Sequence, residues 1–143
     1  MTILVATDGS EVSDTAIEHA ARAARAWDEP LEIVHVLTPE TELVDGTLVL
    51  PGEDEAVEYG ERTVQQAQTI AADAVVGSGG DLEVTTELLA GRPADAITDH
   101  AAATDARMIY VGHRGLSEER EQVVGSVAKT VVDKATVPVT IIK

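Results

Sequence analysis

The sequence predicts an α/β fold, a parallel sheet covered by helices on both faces, and two observations predict it. Short continuous apolar runs such as Ile3-Leu4-Val5-Ala6 are what strands buried on both faces require. They alternate with longer segments whose apolar residues recur at helical spacing, in the order β-α-β-α-β-α-β-α-β, and that alternation gives parallel strands joined by right-handed crossovers. A third observation places the chemistry. The stretch Val111 to Val127 joins the fourth strand to the last helix and carries Gly112, Gly115 and Gly125. A glycine-rich strand-to-helix connection lets the backbone approach a phosphate, and the first amides of the following helix supply donors.

Each element has its own signal. Ile3 to Ala6 is the first strand, and Ser10 is the N-cap of a helix to Trp27, with Val12, Ala16, Ala20, Ala23 and Trp27 on its apolar face. Leu31 to Leu37 is the second strand. Thr38 to Gly52 is rich in turn formers and without periodicity, long enough for a functional or mobile loop. Glu53 to Val76 returns to helical spacing and stops at Gly77-Ser78-Gly79-Gly80. From Asp81 to Ala90, Leu82, Val84, Thr86 and Leu88 alternate with Glu83, Thr85 and Glu87, the pattern of a half-exposed edge strand. Gly91-Arg92-Pro93 is a turn with proline at a helix start, and Ala94, Ile97 and Ala101 form that helix's apolar side. Met108 to Val111 is the fourth strand. The last helix, about Gln122 to Ala135, turns Val123, Val124, Val127, Ala128, Val131 and Val132 inward. Val137 to Ile142 is the fifth strand, which Pro138 keeps from a central place.

Length and charge bound the function. A chain of 143 residues, 44% hydrophobic, suits a single domain over residues 1–143. It has no cysteine, hence no disulfide or thiolate chemistry, and no apolar run of membrane-spanning length. The N-terminus reads as a core strand with no targeting segment, so a cytoplasmic protein is expected. The 26 Asp and Glu against 10 Lys and Arg give a formal charge of −16, which repels nucleic acid. Such a surface suits high internal salt, where carboxylate repulsion is screened within roughly 3 Å at about 1 M.

In a sheet of this kind ligands sit beyond the carboxyl ends of the strands, where the winding direction reverses. If the first and fourth strands meet there, Asp8 and Gly112 share a crevice. Asp8 can accept from ribose hydroxyls or cap the first helix. His113 and Arg114 can neutralise phosphate or belong to an exposed loop, and His35 reads as a packed or hydrogen-bonded strand residue rather than a catalyst.

The spacing Gly112-x2-Gly115-x9-Gly125-Ser126 closely resembles the nucleotide-binding signature of the universal stress protein family. The resemblance runs through I-L-V-A-T-D-G-S at the start, V-H-V at Val34 to Val36, G-R-P-A-D-A-I at Gly91 to Ile97, and the closing V-P-V-T-I-I. It implies a Rossmann-like three-layer sandwich with a five-stranded parallel sheet ordered 3-2-1-4-5, ATP as ligand with Mg2+ or Mn2+, and a homodimer formed through Val137 to Ile142. It further implies that Asp8 faces ribose and adenine, that Val36 contacts adenine through its backbone, and that Gly112 and Gly115 admit ribose and phosphates. Gly125, Ser126 and Val127 then open the phosphate-binding helix, and Ala6, Thr7, His113 and Arg114 line the same pocket. The interval after Gly115 departs from the family in carrying Glu118, Glu119 and Glu121 with Arg120. Those carboxylates repel a triphosphate unless a cation intervenes or they point outward. Function is then a nucleotide-dependent switch in stress response. Its rivals are a weak ATPase or nucleotidyl-transfer enzyme on the same scaffold, and a dimerisation module that has lost nucleotide.

Overall fold

The protein, a computed structural model, is described at residues 1–37, 42–44, 47–49, 53–114 and 125–143. Its elements in order are β1 (Thr2–Ala6), α1 (Glu11–Trp27), β2 (Leu31–Leu37), β3 (Glu42–Val44), β4 (Thr47–Val49), α2 (Glu53–Ala74), β5 (Val84–Ala90), α3 (Pro93–Ala103), β6 (Ala106–Gly112), α4 (Ser126–Lys134) and β7 (Val139–Ile142). Five strands pair in parallel in the order β5-β2-β1-β6-β7. Without the hairpin β3–β4 this is the expected order 3-2-1-4-5.

Alternate residues of one strand reach opposite layers, which is why the strands are apolar throughout. Ile3, Val5 and Ile33 pack against Ala16, Ile17, Ala20 and Ala24 of α1 and Val64, Ala67 and Ala71 of α2. Leu4, Val34, Ile109 and Val111 pack on the other face against Ala94, Ile97 and Ala101 of α3 and Ala128 and Val131 of α4. Each fully buried Leu, Ile or Val contributes about 1.5–3 kcal/mol. With no phenylalanine in the chain, alanines fill the helix faces and let the helices lie close on the sheet. The sheet therefore carries α1 and α2 on one side and α3 and α4 on the other. The connection after β1 leads toward β2 and the one after β6 toward β7, so the winding reverses between β1 and β6.

Four expectations change. The stretch Thr38 to Gly52 contains an antiparallel hairpin, with Leu43 opposite Leu48 and Val44 opposite Thr47. The signal for it was Asp45-Gly46 between two short apolar pairs, a two-residue turn sequence. Trp27 does not join the buried stripe of α1, which ends at Ala24. It is 53% exposed, with the Arg107 guanidinium carbon 4.4 Å from its ring centroid, an arrangement that uses the ring's negative face. Val127 and Val132 are likewise exposed. On a helix turning about 100° per residue, the sheet-facing line of α4 passes through Ala128, Val131 and Ala135, and both valines flank it. Val123 and Val124 lie outside the described residues.

Among the described residues no helix is long and apolar enough to cross a membrane. The edge strand β5 alternates as expected, with Glu83, Thr85 and Glu87 exposed and Val84, Thr86 and Leu88 half-buried.

Candidate functional site

The backbone at the sheet's reversal point follows from register. Ala6 is paired with Val34, and Thr7 N donates to Val34 O at 2.9 Å. Residues two apart on a strand point their peptide groups at the same neighbour, so the N–H and C=O of Val36 also point to the β1 side, beyond the place where β1 ends. The same parity holds across the crevice. Ile109 N donates to Pro138 O and His113 N to Ile142 O, so odd-numbered residues of β6 address β7 and Gly112 addresses β1. Val36 and Gly112 thus flank the space above the end of β1 from its two sides, one with a backbone donor and acceptor pair, the other without a side chain. Val36 itself is buried, its side chain in the α3–α4 layer.

Between them the chain leaves β1 through Thr7-Asp8-Gly9-Ser10. Thr7 is buried, and its Oγ1 accepts from Gly9 N at 3.1 Å and lies 3.0 Å from Ser13 Oγ. That hydroxyl is occupied in building the turn, and the Thr7 N–H is held by Val34 O. Asp8 does not cap α1. Ser10 does, its Oγ accepting from Ser13 N at 3.2 Å, while Asp8 Oδ1 accepts from Ser10 N at 2.9 Å. Gly9 sits at φ +86°, a left-handed conformation that a side chain would strain. From other elements, His35 Nδ1 donates to Thr7 O at 2.8 Å, and Tyr59 Oη donates to Asp8 O at 3.1 Å. His35 is the hydrogen-bonded strand residue its place in the sequence suggested, though its partner carried no signal, and Tyr59 is one aromatic on a polar helix face.

The far wall is tied together by His113. It is buried, which removes the exposed-loop alternative for this residue. Its N–H donates to Ile142 O at 2.7 Å, its Nδ1 lies 3.2 Å from the same carbonyl, and its own carbonyl accepts from Gly125 N at 2.5 Å. One residue therefore fastens the end of β6 to both β7 and the start of α4. Arg114 follows it, half-buried. Gly112 has a structural reason of its own: a Cβ built there stands 2.6 Å from Val12 Cγ1, so the glycine lets β6 pass under the first turn of α1. Gly115 and the run from Glu118 to Glu121 lie outside the described residues.

Charge at the two helix starts differs. The first turn of α1 carries Glu11 and Asp14. At α4 the cap is Gly125, which makes no side-chain cap hydrogen bond, and the first turn holds no acidic residue. The amides and dipole at a helix start of this kind favour an anion. Ser126 and Val127, both exposed, are its first two residues.

Acid crowding at α1 has a measurable effect. The Asp14 carboxyl is pushed above the usual range by burial and by the neighbouring carboxylates of Asp8, Glu18 and Glu11. A carboxyl whose pKa is raised on folding binds its proton more tightly in the folded state, so ionisation opposes folding. The stabilisation from the proton is fully present below the unfolded value of about 4 and is lost as pH rises through the folded pKa. Asp14→Asn is expected to melt above wild type at pH 7, with the gap closing toward pH 3. A gap that is constant with pH contradicts the upward shift of the Asp14 carboxyl.

Residues 1–143 match the sequence profile described as the universal stress protein family. A universal stress protein of Thermus aquaticus is 34% identical over 142 residues, covering 99% of this chain and 98% of that protein. A longer relative from Mycolicibacterium smegmatis is 31% identical over 98% of this chain, which spans 47% of its length. Among solved structures, the universal stress protein from Archaeoglobus fulgidus in complex with dAMP is similar at a TM-score of 0.76 and 30% identity, over 100% of this chain and 98% of that one. A universal stress protein in complex with cAMP is similar at a TM-score of 0.70 and 25% identity, over 100% and 96% of the two chains.

Proposed function

The chain belongs to the universal stress protein family, and we propose that it binds ATP above the end of β1 and acts as a nucleotide-dependent switch in stress response. The observation that carries this reading is the pairing of two features at the reversal point. Val36 and Gly112 direct peptide groups into one crevice, and the acid-free start of α4 follows His113 and Arg114 on its far side. Complexes of similar proteins with dAMP and cAMP support an adenine nucleotide. Val36 reads the adenine edge through its backbone and Asp8 accepts from the ribose. The amides opening α4, the Ser126 hydroxyl and Arg114 take the phosphates, while Ala6 and Thr7 form the floor.

A magnesium or manganese ion would come with the nucleotide, where its charge would lessen repulsion between the phosphates and the acidic surface. Among the described residues no group of three or more His, Cys, Asp or Glu could hold a metal. The partner is a second copy of the chain. Among the described residues β7 pairs only with β6, and its outer edge offers backbone groups for a matching strand across a two-fold axis.

Mass spectrometry of the purified protein, followed by calorimetry with MgATP, tests the reading. Retained or saturably bound adenine nucleotide, weakened by Gly125→Val, is the expected result; absence of binding at both low and molar salt refutes it. The acidic surface is read as adaptation to salt, so melting temperature is expected to rise from low to molar KCl. A flat or falling trend contradicts that adaptation.

A further inference from the structure

Asp8 is held by two residues that no nucleotide contact accounts for. The carbonyl of Thr7 belongs to the peptide plane before Asp8, and the carbonyl of Asp8 to the plane after it. Because peptide units are planar, fixing both carbonyl directions fixes φ and ψ of the residue between them, and with them the direction of its Cα–Cβ bond. His35, on β2, holds the first carbonyl at 2.8 Å; Tyr59, on α2, holds the second at 3.1 Å. The two rings also brace each other, edge to face, with centroids 5.7 Å apart. His35 is buried, whereas Tyr59 is 42% exposed.

We propose that His35 and Tyr59 are positioning residues of the nucleotide site, a two-point clamp that aims the Asp8 carboxylate at the ribose. The inference rests on the nucleotide reading given above and adds to it the pair that sets the geometry of the ribose contact. The clamp acts from β2 and α2, elements that bring no side chain of their own to the phosphates. The conformation of α2 is thereby coupled to how well the sugar is read. His35 must carry its proton on Nδ1 to donate to a carbonyl, which an asparagine amide at the same position can imitate and a leucine cannot.

The test is MgATP affinity in the full chain, by calorimetry. Tyr59→Phe keeps the ring against His35 and removes only the hydroxyl, and affinity is expected to fall about three- to tenfold, the value of one neutral hydrogen bond. In an Asp8→Ala background the same substitution is expected to change affinity by less than about twofold, because a residue acting through Asp8 has nothing left to aim. His35→Leu is expected to weaken binding and His35→Asn to restore it. Tyr59→Phe binding as wild type does, or Tyr59→Phe and Asp8→Ala effects that simply add, overturns the clamp while leaving nucleotide binding intact. His35→Asn as weak as His35→Leu overturns the part given to His35. A wild-type protein that binds no adenine nucleotide overturns the nucleotide reading, and the clamp's role falls with it.

Discussion

Gly112→Ala is expected to destabilise the protein by about 1–3 kcal/mol, the usual cost of forcing a methyl group into a packed contact. The new Cβ stands 2.6 Å from Val12 Cγ1 and 3.4 Å from the Arg114 carbonyl oxygen. Val12 is β-branched and begins its helix, so it has little rotamer freedom with which to yield. For a chain of this length the melting temperature should fall by several degrees. The cause is separable from any ligand effect. Val12→Ala removes the clashing methyl, so the double variant Val12→Ala with Gly112→Ala should be clearly more stable than the two single losses added together. Additive losses would show that the glycine serves something other than the passage of β6 beneath α1.

Asp8→Ala is expected to lower affinity for adenine nucleotides about 10- to 100-fold, the range for a hydrogen bond to a charged group. The loss should be alike for ATP and AMP, because the contact is to the sugar and not to the phosphates. Asp8→Asn separates the two duties of the residue. Its side-chain oxygen can still accept from Ser10 N, which the carboxylate does at 2.9 Å, so the turn is kept while the charge is lost. An intermediate affinity is the expected outcome in calorimetry. Affinity unchanged in both variants would remove Asp8 from the ribose and leave it as a turn residue only.

The fold was legible because the physics that sets it is local and periodic. Runs such as Ile3 to Ala6 and the alternation in β5 announce how many faces of each strand are covered, and parallel topology follows from helices placed between strands. Ser10 was recognisable as a cap for the same reason. What escaped depended on other elements. Trp27 continues the helical spacing of α1, yet only the position of Arg107 decides that its ring stays at the surface. Val127 and Val132 are apolar, but the line of contact on α4 is fixed by how the helix settles on β6 and β7. His35 and Tyr59 lie 24 positions apart in the chain, and nothing in either neighbourhood shows that both reach the backbone around Asp8. At the crevice, the strand order pointed to Asp8 and Gly112 as neighbours, and only the family resemblance added Val36. Register added the reason Val36 can serve through its backbone, and gave His113 a buried bracing part that its residue type did not disclose.

The central claim is that an adenine nucleotide lies across the end of β1 between Val36 and the start of α4. Backbone amide chemical shifts recorded during titration with MgATP test it most directly. Saturable shifts are expected at Ala6 to Ser10, Val36, Gly112 to Arg114 and Gly125 to Val127, with little change along a second depression, a groove between α3 and α4 lined by Asp95, Thr98 and Lys134. Shifts confined to that groove, or no saturable shift at any salt concentration, would contradict it.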